Sequence, residues 1–118
     1  MRKFVLKATV LVSVALASTA VLADAKQIAD GKVLSYNSSK GNCLACHSMP
    51  AMADADQPGN SGPPLVAMKE RFPKKADLRA KIWDATATSP QTMMPILGKH
   101  GALTETEIDA VLEFVYGL

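Results

Sequence analysis

The 118-residue chain carries 13 basic and 11 acidic side chains and only two cysteines. Three of the basic residues lie before residue 24, so the remainder is near neutral and has no basic surplus that would point to nucleic acid or an acidic membrane surface. A domain of this size has a thin apolar core, and such domains often add a disulfide, a metal or a large cofactor.

Residues 1–23 have the pattern of a signal peptide that is removed after export. A basic start leads into an almost unbroken run of apolar and small residues, and Ala23 offers a cleavage site before Asp24. An uncleaved membrane anchor is the alternative, but the apolar run from Val10 to Ala23 is shorter than the ~20 residues that a span needs. We therefore expect a periplasmic protein whose mature domain comprises residues 24–118.

The first element of that domain is predicted to be a short helix over residues 24–36. Gly31 lies inside it, where a glycine costs ~1 kcal/mol relative to alanine. Either this glycine allows a second helix to approach closely, or the helix is frayed or broken there. The next segment, Ser48 to Pro64, is rich in Pro, Gly, Asn, Asp and Ala, which predicts a long loop that a bound cofactor would order.

Two helices and a second loop are predicted in the middle of the domain. A short helix spans about Leu65 to Phe72 and stops at Pro73. A longer helix spans about Ala76 to Thr86, and one face of it carries Leu78, Ile82 and Ala85. Ser89 to Gly101 is interrupted by prolines and glycines and is predicted to be irregular.

The last helix has the clearest signals. Thr104 and Glu107 form a capping-box pattern at its start. Apolar residues then recur at helical spacing, namely Ile108, Val111, Leu112 and Val115. No stretch keeps the period of a strand for long, so the sequence predicts an all-α fold.

The pentapeptide Cys43-Leu44-Ala45-Cys46-His47 is the attachment pattern of a c-type haem. Cysteines three apart can form thioethers with the two vinyl groups, and the adjacent imidazole can bind the iron. A structural disulfide, a thioredoxin-like dithiol and half of a zinc site are the alternatives. A thioredoxin-like site belongs in an α/β pattern, and zinc needs more ligands than His100 adds, so we predict one covalently bound haem c.

The iron of an electron carrier also needs a sixth ligand, and a thioether opposite imidazole raises the reduction potential. Met94 is the candidate because it lies in a Pro-bounded loop before the last helix. Met93 differs only in register, His100 could form a bis-imidazole pair, and the other methionines could simply fill space. On the opposite side, the carbonyl of Pro63 could accept the Nδ1 proton of His47 and fix the tautomer whose Nε2 binds iron.

These features, in this order, resemble class I cytochromes c. A helix with a glycine is followed closely by the haem motif, then by Gly62-Pro63-Pro64-Leu65, a Met loop and a C-terminal helix. The resemblance implies an all-α class I cytochrome c fold, with three to five short helices wrapped around one covalently bound haem. It also implies that His47 and Met94 are the iron ligands.

More narrowly, the chain is similar to the SoxX family, the monohaem cytochrome subunits of SoxAX complexes in bacterial sulfur oxidation. The similarity lies in the block from Lys40 to His47, in Met49-Pro50 and in Thr92-Met93-Met94-Pro95. The family loop usually ends in an aromatic residue before glycine, whereas this chain has Ile96-Leu97-Gly98. The Met94-Pro95 pair itself is unchanged, so Met94 still matches the ligand position of the family.

Resemblance to SoxX implies a partner and a reaction. The partner is a SoxA-like cytochrome subunit in a heterodimer, and the complex joins thiosulfate oxidatively to a cysteine of the SoxYZ carrier. This chain would pass the electrons to a downstream acceptor. After haem attachment it has no spare cysteine and no identifiable pair of nucleophile and base, so we assign the thiosulfotransferase activity to the complex and not to this subunit alone.

Two other functions stay open at this point. A free-standing cytochrome c could shuttle electrons between periplasmic redox complexes, and its contact surface would be smaller and more polar than that of a tightly bound subunit. A haem enzyme or gas-binding protein would need an open sixth position and a distal acid or base, for which His100 is the candidate.

Overall fold

The computed structural model describes residues 24–118, and the predicted signal peptide, residues 1–23, lies outside the described residues. Residues 24–118 form helices and loops without a strand, which confirms the all-α prediction. The helices are α1 over 24–36, α2 over Met68–Arg71, α3 over Lys75–Trp83 and α4 over Glu105–Tyr116, with 3-10 turns at Cys43–Ala45 and Ala85–Ala87. In this part of the chain no helix is long and apolar enough to cross a membrane.

α4 forms the centre of the core. Its predicted apolar face is buried, with Ile108 fully covered and Val111 only 1% exposed. The capping box is present: the hydroxyl of Thr104 accepts from the amide of Glu107 at 3.2 Å, and the Glu107 carboxylate accepts from the amide of Thr104 at 2.9 Å. Two amides at the start of the helix are satisfied in this way, as the sequence pattern predicted.

Gly31 brings α1 against the backbone of α4. A Cβ at Gly31 would lie 1.9 Å from the carbonyl oxygen of Ala110, so no larger residue fits without moving a helix. Further along the same pair of helices, Tyr36 and Phe114 pack edge to face with ring centroids 6.3 Å apart. Because α1 continues unbroken through residue 31, the close-approach interpretation of Gly31 is confirmed and the broken-helix interpretation is wrong.

The first predicted middle helix is shorter than expected. α2 begins at Met68 and not near Leu65, because the amide of Leu65 instead donates to the carbonyl of Ser48 at 2.8 Å. Ala67 then adopts a left-handed conformation with φ of 50°, which is incompatible with a helix running through it. The long loop predicted for 48–64 is confirmed, and it extends to residue 67.

The second predicted middle helix begins one residue earlier than expected and ends at Trp83, before Thr86. Asp84 is extended, and its carboxylate accepts from the amide of Thr86 at 3.0 Å, which starts the 3-10 turn Ala85–Ala87. An aspartate that binds nearby amides in this way competes with continuation of the helix. The predicted face of Leu78, Ile82 and Ala85 is nevertheless buried.

Candidate functional site

The two cysteines and His47 share one tight turn. The 3-10 turn Cys43–Ala45 follows Asn42, whose backbone is left-handed with φ of 50°. The carbonyl of Cys43 accepts from the amide of Cys46 at 3.2 Å and from the amide of His47 at 2.9 Å. Both cysteines are free thiols, so the structure has no Cys43–Cys46 disulfide.

The turn that carries the cysteines is joined to α1 through the backbone, because the amide of Gly41 donates to the carbonyl of Leu34 at 3.1 Å. Burial raises the pKa of the Cys43 thiol. Ser35 is fully buried in α1, and its hydroxyl donates to the carbonyl of Gly31 at 2.8 Å. The sequence analysis missed this serine, because a single serine in a helix carries no signal of its burial.

His47 is held in one orientation by the end of the long loop. Its Nδ1 lies 2.6 Å from the carbonyl oxygen of Pro63. Because a carbonyl can only accept, Nδ1 carries the proton and Nε2 keeps its lone pair for a metal. Gly62 lies against the same ring, and a Cβ there would be 2.5 Å from Cε1 of His47. The contact between Pro63 and His47 is as predicted, whereas the steric role of Gly62 was not foreseen.

The long loop is tied to the haem motif by its own backbone. The amide of Gly59 donates to the carbonyl of Leu44, and the amide of Gly62 to that of Cys46, each at 2.8 Å. A Cβ at Gly59 would lie 1.9 Å from the carbonyl oxygen of Ala45, so this close return requires a glycine. Protein contacts thus order part of the loop for which the sequence suggested a cofactor alone.

The two candidate methionines differ in burial. Met93 is 89% exposed, whereas Met94 is partly buried and packs against the core. His100 is also exposed. Met49 and Met68 are 1% and 2% exposed and belong to the core cluster, in keeping with a packing role. Met94 is thus more buried than Met93, and its role as the sixth ligand stays a prediction.

The side chains of this site fit a haem c. Two free thiols and an imidazole with a fixed tautomer occupy one turn, and a half-buried thioether lies in the later loop. Among residues 24–118, no group of three or more His, Cys, Asp or Glu side chains could hold a metal ion. A zinc site therefore lacks a ligand set in the part of the chain that the structure describes.

A family model for cytochrome c matches residues 28–118, which is most of the sequence. The chain belongs to the cytochrome c family. This cytochrome therefore carries a covalently bound haem c, and Cys43 and Cys46 fit the attachment motif of the family.

The cytochrome is also similar to a chain of the crystal structure of SoxXA from P. pantotrophus. The two chains are 27% identical with a TM-score of 0.67, and the match covers 74% of this chain and 77% of that chain. No curated protein matches the sequence. The structural similarity confirms the predicted class I cytochrome c fold and the resemblance to SoxX that the motifs indicated.

Proposed function

We propose that this cytochrome is the electron-transfer subunit of a periplasmic SoxAX-type complex that oxidises thiosulfate. The observation that carries the proposal is the similarity to the SoxXA structure, which extends over about three quarters of both chains. A haem attachment motif by itself is common to carriers of many kinds, so the extent of the similarity is what favours a Sox complex over a free-standing shuttle.

In this proposal Cys43 and Cys46 would form the thioethers, and His47 and Met94 would hold the iron. Haem c, when bound, supplies a centre that accepts and releases one electron at a time. The carbonyl of Pro63 accepts the proton on Nδ1 of His47 at 2.6 Å, which leaves the lone pair of Nε2 available to bind iron. Met94 is partly buried and packs against the core.

The chemistry of the reaction requires a partner. A carrier cysteine thiolate, R–S⁻, and thiosulfate, S₂O₃²⁻, give R–S–S–SO₃⁻ and two electrons, whereas one haem accepts one electron at a time. Cys43 and Cys46 are the only cysteines of the chain and are used for haem attachment, so this subunit has no thiol for the substrate. A SoxA-like subunit would therefore handle the substrate and share the electrons, and this cytochrome would deliver them to a downstream acceptor.

A reconstituted assay tests this function. Purified cytochrome, a SoxA-like partner, the SoxYZ carrier, thiosulfate and an electron acceptor are mixed, and the carrier is weighed by mass spectrometry. We expect conjugation to be fastest with both subunits and to slow when the double variant Cys43→Ala/Cys46→Ala replaces the wild-type chain.

Two results would contradict the proposal. Full conjugation by this chain without a partner would make it an enzyme in its own right. Equal conjugation by the partner without this chain would leave it no role in the reaction and would favour the free-standing shuttle.

Export is the second part of the proposal. The mature protein isolated from its native host should begin at Asp24, because the predicted cleavage site follows Ala23. Mass spectrometry of the intact haem protein measures this directly. A mature chain that retains Met1 would contradict the predicted signal peptide.

A further inference from the structure

Met94 lies in an irregular segment, residues 88–99, that we call the Met94 segment. This segment begins and ends at the same end of α3. Near its start, the ammonium group of Lys81 donates to the hydroxyl of Thr88 and to that of Ser89, the latter at 3.2 Å. Near its end, the carbonyl of Trp83 accepts from the amide of Gly98 at 3.1 Å and from the amide of Lys99 at 3.4 Å. The last turn of α3 therefore fixes where this segment leaves and where it returns.

The return point is also a tight steric contact. Gly98 is buried against the indole of Trp83, and a Cβ at this position would lie 1.9 Å from Cε3 and 2.4 Å from Cδ2. The guanidinium of Arg79 lies over the same indole, 5.9 Å from its centroid, and its Nε donates to Asp109 of α4 at 2.7 Å. The indole of Trp83 therefore lies between Arg79, which is bonded to α4, and Gly98 of the Met94 segment.

A salt bridge and a backbone bond strengthen the same point. Lys99 lies 3.4 Å from Asp84, the residue that directly follows Trp83. The amide of Leu103 donates to the carbonyl of Leu97 at 2.9 Å, and both side chains are buried. Directly before Met94, the amide of Thr92 donates to the carbonyl of Ser89 at 2.9 Å and the amide of Met94 to the hydroxyl of Thr92 at 3.2 Å. The return point combines backbone hydrogen bonds, a salt bridge and buried side chains.

We propose that Trp83 and Gly98 are positioning residues that keep the Met94 segment closed, so that the Met94 thioether stays at the iron. This inference rests on the proposed ligation by Met94. A thioether is a weak ligand for ferric haem, so its occupancy depends on how strongly the protein holds it in place. Loosening the return point should raise the population of molecules in which Met94 has left the iron.

Imidazole added to the ferric holoprotein measures that population, because it can bind only when Met94 has left. Its apparent dissociation constant equals the intrinsic constant divided by the fraction of open molecules. We expect Gly98→Ala, which places a methyl group into the indole, to tighten imidazole binding by roughly tenfold or more. Trp83→Val should also tighten it, by a smaller factor.

A double variant and a matched control separate positioning from general destabilisation. In the Trp83→Val background the added methyl of Gly98→Ala has room, so this second change should alter imidazole affinity less than about twofold. Gly31→Ala also places a Cβ 1.9 Å from another atom, but that atom is the carbonyl oxygen of Ala110, at the contact of α1 with α4. It should lower the unfolding temperature and leave imidazole affinity within about twofold of wild type.

The possible outcomes distinguish the two proposals. If Met94→Ala and the wild type bind imidazole equally tightly, ligation by Met94 is wrong and this inference falls with it. If Met94→Ala binds more tightly but Gly98→Ala and Trp83→Val behave as Gly31→Ala does, ligation stands and the positioning role is wrong. Should Gly98→Ala not fold, Trp83→Val alone decides between these results.

Discussion

The contact between α1 and α4 and the loops that carry the site residues are held together in different ways. The two helices meet through a backbone approach at Gly31, where a Cβ would lie 1.9 Å from Ala110, and through the edge-to-face pair of Tyr36 and Phe114. The loops, residues 48–67 and 89–101, have no regular structure and are attached at single points. These points are individual backbone hydrogen bonds, such as Gly62 to Cys46 at 2.8 Å and Gly98 to Trp83 at 3.1 Å.

This difference predicts which part of the molecule opens more easily. The apolar burial of α4 is distributed over several side chains, so α4 keeps its position when one apolar contact is lost. An isolated hydrogen bond contributes only ~1 kcal/mol, so a loop held by a few of them opens more easily than the core unfolds. The proposed haem site spans this division, because Cys43 lies in the turn that follows α1, whereas the proposed iron ligands, His47 and Met94, lie against or in the loops.

The largest effect should follow loss of the haem. In the haem-free double variant Cys43→Ala/Cys46→Ala, amides of the two loops should exchange with solvent at least roughly tenfold faster, while amides of α4 change less. Hydrogen exchange followed by mass spectrometry measures both regions in one sample. If α4 and the loops lose protection by the same factor, the scaffold depends on the haem as much as the loops do, and the comparison fails.

The next largest effect concerns the contact between α1 and α4. Gly31→Ala should reduce the free energy of unfolding by about 1–3 kcal/mol or more, because the added methyl forces α1 away from α4. Denaturant unfolding followed by circular dichroism gives this value. Gly117→Ala is the matched control, since a Cβ there meets nothing closer than 3.3 Å. Equal stability of the two variants would show that the helices do not approach at Gly31.

The smallest effect is a pH dependence that links α4 to the start of the haem motif. The ammonium of Lys40, 2.8 Å from the Glu107 carboxylate, and the amide of Thr104 lower the pKa of Glu107 in the folded chain. The resulting stabilisation is present above about pH 4.3, the ordinary pKa of a glutamate, and is lost as the pH falls through the folded value.

Thermal unfolding between pH 3 and 7 measures this dependence; the range is set roughly by the ordinary carboxylate pKa values. Glu107→Gln should flatten the acid side of the profile, and Lys40→Met should flatten it in part, because it removes the largest cause of the shift. A Glu107→Gln profile that falls as steeply as that of the wild type would assign the acid sensitivity to other carboxylates.

Local patterns predicted the parts of the fold that depend on local chemistry. The capping box of Thr104 and Glu107, the buried face of α4 and the two loops follow from residue spacing and from proline and glycine content. The start of α2 was misplaced, because Leu65 forms a hydrogen bond with Ser48 that no local pattern reveals.

The same limit applies to the site. The attachment motif indicated the haem, and the hydrogen bond from His47 to Pro63 was foreseen from the motif's chemistry. The contacts of Gly59 with Ala45 and of Gly98 with Trp83 join residues that are distant in sequence or lie on different elements. Only the packed chain determines such contacts.

Ligation by Met94 is the central claim for the site, and near-infrared absorption of the ferric protein tests it most directly. The long-wavelength charge-transfer band of Met-bound haem should be present in the wild type, in Met93→Ala and in His100→Ala, and it should vanish only in Met94→Ala. A band that persists in Met94→Ala, or that is lost in Met93→Ala or His100→Ala instead, would contradict the claim.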